Sequence, residues 1–248
     1  MNRESRQAVK QMSGNARKAW EVLSVHEKDG FVAVPDLCLG LEQHPITFLT
    51  FSCLGTYKGK EELKLNLLET FFFRKFLKPS GRLFEELSSA GVTAQLIVIL
   101  PDTEPRETWG WGIPQHELTE CCRMMVEDAA ASLPFEVEVV LWCDLAQQVT
   151  STYAQALEWA EKLGPPLLIR AEADHIRISP AFSEIALREK PTRVATRQVA
   201  AYAWQGKVLE QLFPFGIFVQ SEFPAERKDR MYQPLRSKTL PIVHPFEM

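Results

Sequence analysis

An α/β fold is predicted, with a mostly parallel Rossmann-like sheet lying in three layers between helices on both faces. Three observations predict it. Short β-branched or aromatic runs fall at 46–53, 95–100, 135–143 and 216–221. Segments with helical periodicity separate them, which is the signature of βαβ units. No internal repeat, low-complexity tract or long Gly/Ser linker divides the chain. The economical organisation is therefore one compact unit, with residues 1–45 as a helical extension packed on a core spanning 46–248.

Taken in order, 46–53 (ITFLTFSC) reads as a buried strand ending in small residues. The stretch 60–78 carries Leu63, Leu67, Phe71 and Phe72 at helical spacing, and Pro79-Ser80-Gly81 reads as its stop. A short helix over 83–89 leads to 95–100 (QLIVIL), the strongest strand signal, closed by Pro101-Asp102. Residues 114–131 read as a helix with proline in the first turn, where its missing N–H costs nothing. In 135–143, Phe135, Val137 and Val139 alternate with Glu136 and Glu138, a strand pattern. Residues 151–163 are helical up to Gly164-Pro165-Pro166, and 167–171 and 175–178 read as two short strands, a hairpin across Asp174. A long helix over 192–212 carries the internal glycine Gly206, and 216–221 (GIFVQS) is the last strand. The remaining tail reads as irregular.

The chain has 248 residues, of which 46% are hydrophobic and 24% charged, which excludes collagen and wholesale disorder. With 28 Lys+Arg against 32 Asp+Glu the net charge is −4, so no global positive field draws in nucleic acid and any such contact needs local basic patches. Three stretches qualify. Lys58, Lys60, Lys64, Arg74, Lys75 and Lys78 face Glu61, Glu62 and Glu69; Arg188, Lys190, Arg193 and Arg197 face Glu189; Arg227, Lys228, Arg230, Arg236 and Lys238 face Glu226 and Asp229. Such runs also occur on ordinary solvated helices. The basic N-terminus has no apolar signal-peptide core, and no apolar window reaches the ~18 residues of a membrane span. Five cysteines without a CxxC, and five scattered histidines, argue against a disulfide framework and a zinc site. The expectation is a protein of the reducing cytoplasm with no metal, no membrane partner and no cofactor.

In an open α/β sheet ligands settle beyond the carboxyl ends of the strands, at the switch in strand order. That nominates Ser52, Cys53 and Tyr57; Asp102, Glu104 and the Trp109-Gly110-Trp111-Gly112 tetrad; Cys143 and Asp144; and Ser221 and Glu222. The sequence lacks GxGxxG, the P-loop pattern and the GxSxG elbow, so dinucleotide, P-loop and α/β-hydrolase chemistry lose their usual devices.

This layout resembles the tRNA-dependent cyclodipeptide synthases, which share the Rossmann-like catalytic core of class I aminoacyl-tRNA synthetases without its ATP motifs. The family's hydrophobic–Gly–x–Ser–x–x–Asn pattern after the first core strand corresponds to the stretch Thr50–Gly55, where only Ser52 fits; Thr50 and Gly55 stand in place of the Gly and Asn. The family's Val-Pro-Asp strand end is similar to Leu100-Pro101-Asp102. Its Tyr-x-x-x-Glu pair on a late helix is matched in position by Tyr202 and Glu210, eight apart rather than four, and its C-terminal Tyr by Tyr232. The WGWG tetrad and the ending SEFPAERKDRMYQPLR resemble the divergent arginine-using members from fungi.

The resemblance implies two rounds of aminoacyl transfer. Ser52 takes an aminoacyl group from tRNA as an ester, the amine of a second aminoacyl-tRNA attacks it, and the dipeptidyl ester cyclises to a diketopiperazine. A tRNA ester is already activated, so a lone serine needs no visible Ser-His-Asp set. Tyr202, Glu210 and Glu222 are then the proton- and ammonium-handling groups, with Tyr57, Asp102, Glu104, Trp109, Glu172 and Tyr232 binding substrate. The carboxylates among these suit an arginine side chain. Lys60, Lys64, Arg74, Lys75 and Lys78 are the tRNA grip. Taken singly, each of these residues also has a plain role, as a turn cap, a solvated carboxylate or a loop anchor. Two rival readings stand beside this one: another Rossmann-like transferase or nucleotide-binding enzyme, and a non-catalytic α/β interaction protein.

Overall fold

The structure is a computed structural model that describes residues 3–27, 31, 34–51, 78–102, 116–178, 189–219, 231–238 and 241–243. Five parallel strands form one sheet in the order β3-β2-β1-β4-β5. They are β1 (Ile46–Phe51), β2 (Ala94–Leu100), β3 (Glu136–Leu141), β4 (Ile217–Val219) and β5 (Ile242–Val243). The helices are α1 (Arg3–Gln11), α2 (Gly14–His26), α3 (Val34–Leu41), α4 (Lys78–Ser89), α5 (His116–Ala130), α6 (Trp142–Gln147), α7 (Tyr153–Leu163), α8 (Pro166–Ile178) and α9 (Pro191–Leu212). The α/β, Rossmann-like prediction is met.

Alternation along the strands builds the three layers. Phe48, Leu96, Val98, Ile217 and Val219 face one side and pack with residues of α2, α3, α4 and α5. Leu49, Ile97, Ile99 and Phe218 face the other and pack with α6, α7 and α9. Phe48, Phe84, Trp142 and Phe218 are almost wholly buried, each side chain contributing about 1.5–3 kcal/mol by leaving water. A parallel sheet buried on both faces needs near-continuous apolar strands, and β2 supplies one. At the edge, β3 keeps Glu136 and Glu138 partly in solvent.

Several sequence readings need correction. Residues 167–171 and 175–178 are not strands; both lie in α8, whose buried Ala173 and Ile176 follow helical spacing and whose Pro166 starts the helix. Pro79-Ser80-Gly81 is no stop but the first turn of α4. The third strand ends at Leu141, because Trp142 already begins α6. The tail reaches the sheet through β5, a two-residue strand too short to leave a pattern. The helix expected over 60–77 lies outside the described residues.

Candidate functional site

Strand order reverses direction between β1 and β4, so the carboxyl ends of these two strands flank the crevice where α/β sheets take ligands. Phe51 ends β1 there. Its ring stacks on Tyr232 with centroids 6.3 Å apart and 13° between planes. Tyr232 in turn meets Tyr202 of α9 edge-on at 5.5 Å and Phe218 of β4 at 5.7 Å. Two tyrosines thirty residues apart in sequence thus meet at the residue preceding Ser52. Tyr232 is 1% exposed and Tyr202 is half-buried.

Close backbone approach makes this possible. A Cβ on Gly206 of α9 would lie 2.1 Å from the Tyr232 carbonyl oxygen, so only glycine lets the two segments touch. Arg236 donates from Nη1 to the Gly206 carbonyl at 2.9 Å and from Nε to the Lys238 carbonyl at 3.0 Å.

Glu210 lies two turns beyond Tyr202 on the same helix. Its Oε1 accepts from the Ser237 backbone N–H (2.8 Å), the Ser237 hydroxyl (2.7 Å) and the Lys238 N–H (2.8 Å), while Lys207 Nζ donates to Oε2 at 2.8 Å. Burial alone would raise this acid, but the Lys207 and Ser237 side chains and the two N–H groups outweigh it and hold it at about 2. It is therefore ionised throughout the neutral range and tied to the 231–238 segment that carries Tyr232.

Asp102 is buried just past β2, and its Oδ1 accepts from the Cys143 N–H at 2.9 Å, doing for α6 what Leu141 at the N-cap cannot. Burial, followed by the carboxylates of Asp102 and Asp144, pushes the Cys143 thiol up to about 12, which leaves it protonated and a poor nucleophile. Glu172 lies not in a hairpin turn but buried on α8, next to Ala173 of a small separate cluster with α9. Ser52, Tyr57, Lys60, Lys64, Arg74, Lys75, Glu104, Trp109 and Glu222 lie outside the described residues, and Lys78 is the first residue of α4.

The structure adds groups the sequence reading passed over. Gln205 is 1% exposed and neither of its amide atoms has a hydrogen-bond partner among the described residues, and the buried Gln198 carbonyl oxygen has none there either. Both share a helical face with Tyr202, at spacings of four and three residues. The signal was available, since three polar or semi-polar residues recur on one face of a helix with buried surfaces all round. Among the described residues no cluster of His, Cys, Asp and Glu is arranged to hold a metal ion, and no helix is long and apolar enough to cross a membrane.

No family model matches the sequence, and no curated protein matches it significantly. Solved structures do resemble it. Tyrosyl-tRNA synthetase from Archaeoglobus fulgidus, in complex with L-tyrosine, superposes with a TM-score of 0.55 at 12% identity over 93% of this chain. The match covers 63% of that synthetase, so the chain spans less than two thirds of its length. The PvcA protein from Pseudomonas aeruginosa gives 0.51 at 14% identity, over 94% of this chain and 92% of that one. A cyclodipeptide synthase (CDPS) from Fluoribacter dumoffii gives 0.47 at 12% identity, over 80% of this chain and 88% of that one. At such identities the likeness is one of architecture: the chain has the Rossmann-like α/β fold that the synthetase and PvcA also have.

Proposed function

We propose that the chain is an aminoacyl-tRNA-using acyltransferase that forms a cyclic dipeptide. The observation that carries this reading is the meeting of Tyr202 with Tyr232, itself stacked on Phe51, the residue before Ser52, at the switch point of the sheet. In the proposed reaction the Ser52 hydroxyl attacks the ester carbonyl of an aminoacyl-tRNA, and the tRNA hydroxyl leaves with the proton. The amine of a second aminoacyl-tRNA attacks the seryl ester and frees the serine. The free amine of the dipeptidyl-tRNA then attacks its own ester carbonyl, closing the diketopiperazine and releasing the second tRNA.

Tyr232, stacked on the last residue of β1, and Tyr202 beside it are suited to holding the α-ammonium and passing protons. Glu210 is recast as a positioning residue: an acid held at about 2 is a weak proton shuttle at neutral pH, but it fixes the segment bearing Tyr232. Glu222 remains the proposed acid–base partner, and Asp102 and Glu104 the carboxylates for a basic side chain such as arginine, while Glu172, on α8, is left out of that set.

The test is incubation of the purified protein with a mixture of charged tRNAs and mass spectrometry for diketopiperazines. Product is expected from the wild type and none from Ser52→Ala. Tyr202→Phe and Tyr232→Phe should each lower turnover at least tenfold with the fold intact by circular dichroism. Undiminished product from Ser52→Ala removes the seryl intermediate, and no product with any charged tRNA removes the reading.

A further inference from the structure

We infer that the groove between α7, α8 and the first half of α9 is a cradle for the phosphodiester backbone of RNA. The RNA identity rests on the function proposed above; the anionic character of the ligand does not. The groove encloses about 920 Å³. Its lining includes the apolar Leu157, Ala160, Ile169 and Ala173 and the basic Lys162, Arg170, Arg177, Arg193 and Arg197. Only Glu161 and Asp174 oppose them among the described lining residues, on a chain whose net charge is −4. This is a local reversal of the molecule's overall sign.

The internal pairing leaves positive charge over. Arg177 is engaged by Asp174 at 2.8 Å, and Lys162 by Glu158 on the outer face of α7. Arg197, largely buried, makes a two-pronged pair with Glu189 at 2.6 Å and 2.6 Å. Arg193 also meets this carboxylate, at 3.2 Å, and is 76% exposed. Among the described residues Arg170 has no ion-pair or hydrogen-bond partner. The start of α9 adds to this field: Lys190 at the N-cap makes no side-chain capping bond, Pro191 follows, and a 22-residue helix brings its positive dipole end to the groove beside Thr192.

Topology sets the groove in the right place. In a parallel sheet each connecting helix runs back towards the amino ends of the strands, so α9, which feeds β4, begins at their carboxyl side. Arg193 and Arg197 precede Tyr202 by nine and five residues, about 14 and 8 Å along the axis. A strand lying on the arginines therefore runs alongside the helix that delivers Tyr202 to Phe51. Guanidinium forks bind phosphate oxygens in pairs, and rows on two facing helices suit a succession of phosphates better than one isolated anion.

The experiment is fluorescence anisotropy of labelled, uncharged tRNA titrated with the full chain over a series of salt concentrations. Arg170→Ala with Arg193→Ala should weaken binding about tenfold or more and reduce the slope of log K against log salt by about 2. Arg170→Lys with Arg193→Lys keeps the charges and should retain most of the slope, which separates lost phosphate contacts from a damaged fold. Wild-type binding left unchanged in the alanine pair overturns the inference, as does the absence of tRNA binding by the wild type. Displacement of tRNA by polyglutamate at equal charge concentration would assign the groove to an acidic polypeptide and overturn it too. The two proposals fail separately: diketopiperazine formation with a groove-independent Kd sinks the cradle alone, and groove-dependent tRNA binding without product sinks only the reaction.

Discussion

Gly206 stands mid-helix, where alanine would ordinarily be favoured by about 1 kcal/mol. Here its missing Cβ admits the Tyr232 carbonyl, 2.1 Å from where that Cβ would lie, and the obstacle is backbone rather than a mobile side-chain tip. Gly206→Ala is therefore expected to destabilise by about 1–3 kcal/mol, the cost of an overpacked contact, and to displace Tyr232. At about 2–4 °C per kcal/mol for a chain of this size, a thermal melt reads it directly; an unchanged or raised Tm would contradict the contact. Glu210 gives a pH-dependent counterpart. Its folded acidity lies at about 2, below the unfolded value of 4.5, so its stabilisation is present above about 4.5 and is lost as pH falls towards 2. Glu210→Gln should cost about 1–3 kcal/mol at pH 7, and the gap to wild type should close on acidification in parallel chemical melts at pH 7 and pH 3. A gap independent of pH would show that the carboxylate charge is not what holds Ser237 and Lys238. In sequence, Glu210 stands out only as a negative group at a helix end that prefers cations. The donors that reverse that conflict sit at 237 and 238, beyond the reach of any local pattern.

Among the elements, α9 carries an unusual load of buried polar side chains. Gln205, at 1% exposure, finds no partner for either amide atom among the described residues, and such a group forfeits its hydration without return. Gln205→Met, similar in volume and unbranched, should raise Tm, and a fall would mean that the amide has a partner the structure does not display. At the start of α7 the balance is opposite. Thr152 and Gln155 form a reciprocal capping box, so Thr152→Ala should cost about 1 kcal/mol, seen as a lower urea midpoint with unchanged slope. The contrast between these helices and α8 also shows what a sequence can convey. β1, β2 and α9 were legible because their apolar patterns are long and have one period. α8 was not, since Leu167-Leu168-Ile169 after two prolines imitates a strand while Leu167 is 82% exposed. Its true period emerges only once Ala173 and Ile176 are seen against Val194 and Ala195 of α9. The tyrosine pair is nominated by resemblance, whereas Gln198 and Gln205 draw no attention in the sequence although they recur on the same helical face.

At the scale of the whole molecule, the strand order makes the sheet unequal across its width. β1 and β2 are hydrogen-bonded on both sides, β1 to β2 and β4, β2 to β1 and β3. Among the described residues β3 has a partner only on its β2 side, and its Glu136 and Glu138 guard that edge against pairing with another chain. The candidate site is built on the rigid part of this gradient, with Phe51 at the end of the doubly paired β1 and Tyr232 stacked on it. A site that must hold reacting groups in register gains from such a support, because local opening draws on regions with few buried contacts and exposed hydrogen bonds. Native-state hydrogen exchange should therefore find the slowest amides in β1 and β2, near the global unfolding free energy. In β3 protection should alternate, with inward-pointing N–H groups slow and outward-pointing ones fast, since a parallel edge strand donates to its neighbour only at every second residue. Uniform protection along β3 equal to that of β2 would mean that another segment covers this edge, and the five-strand order would then be incomplete.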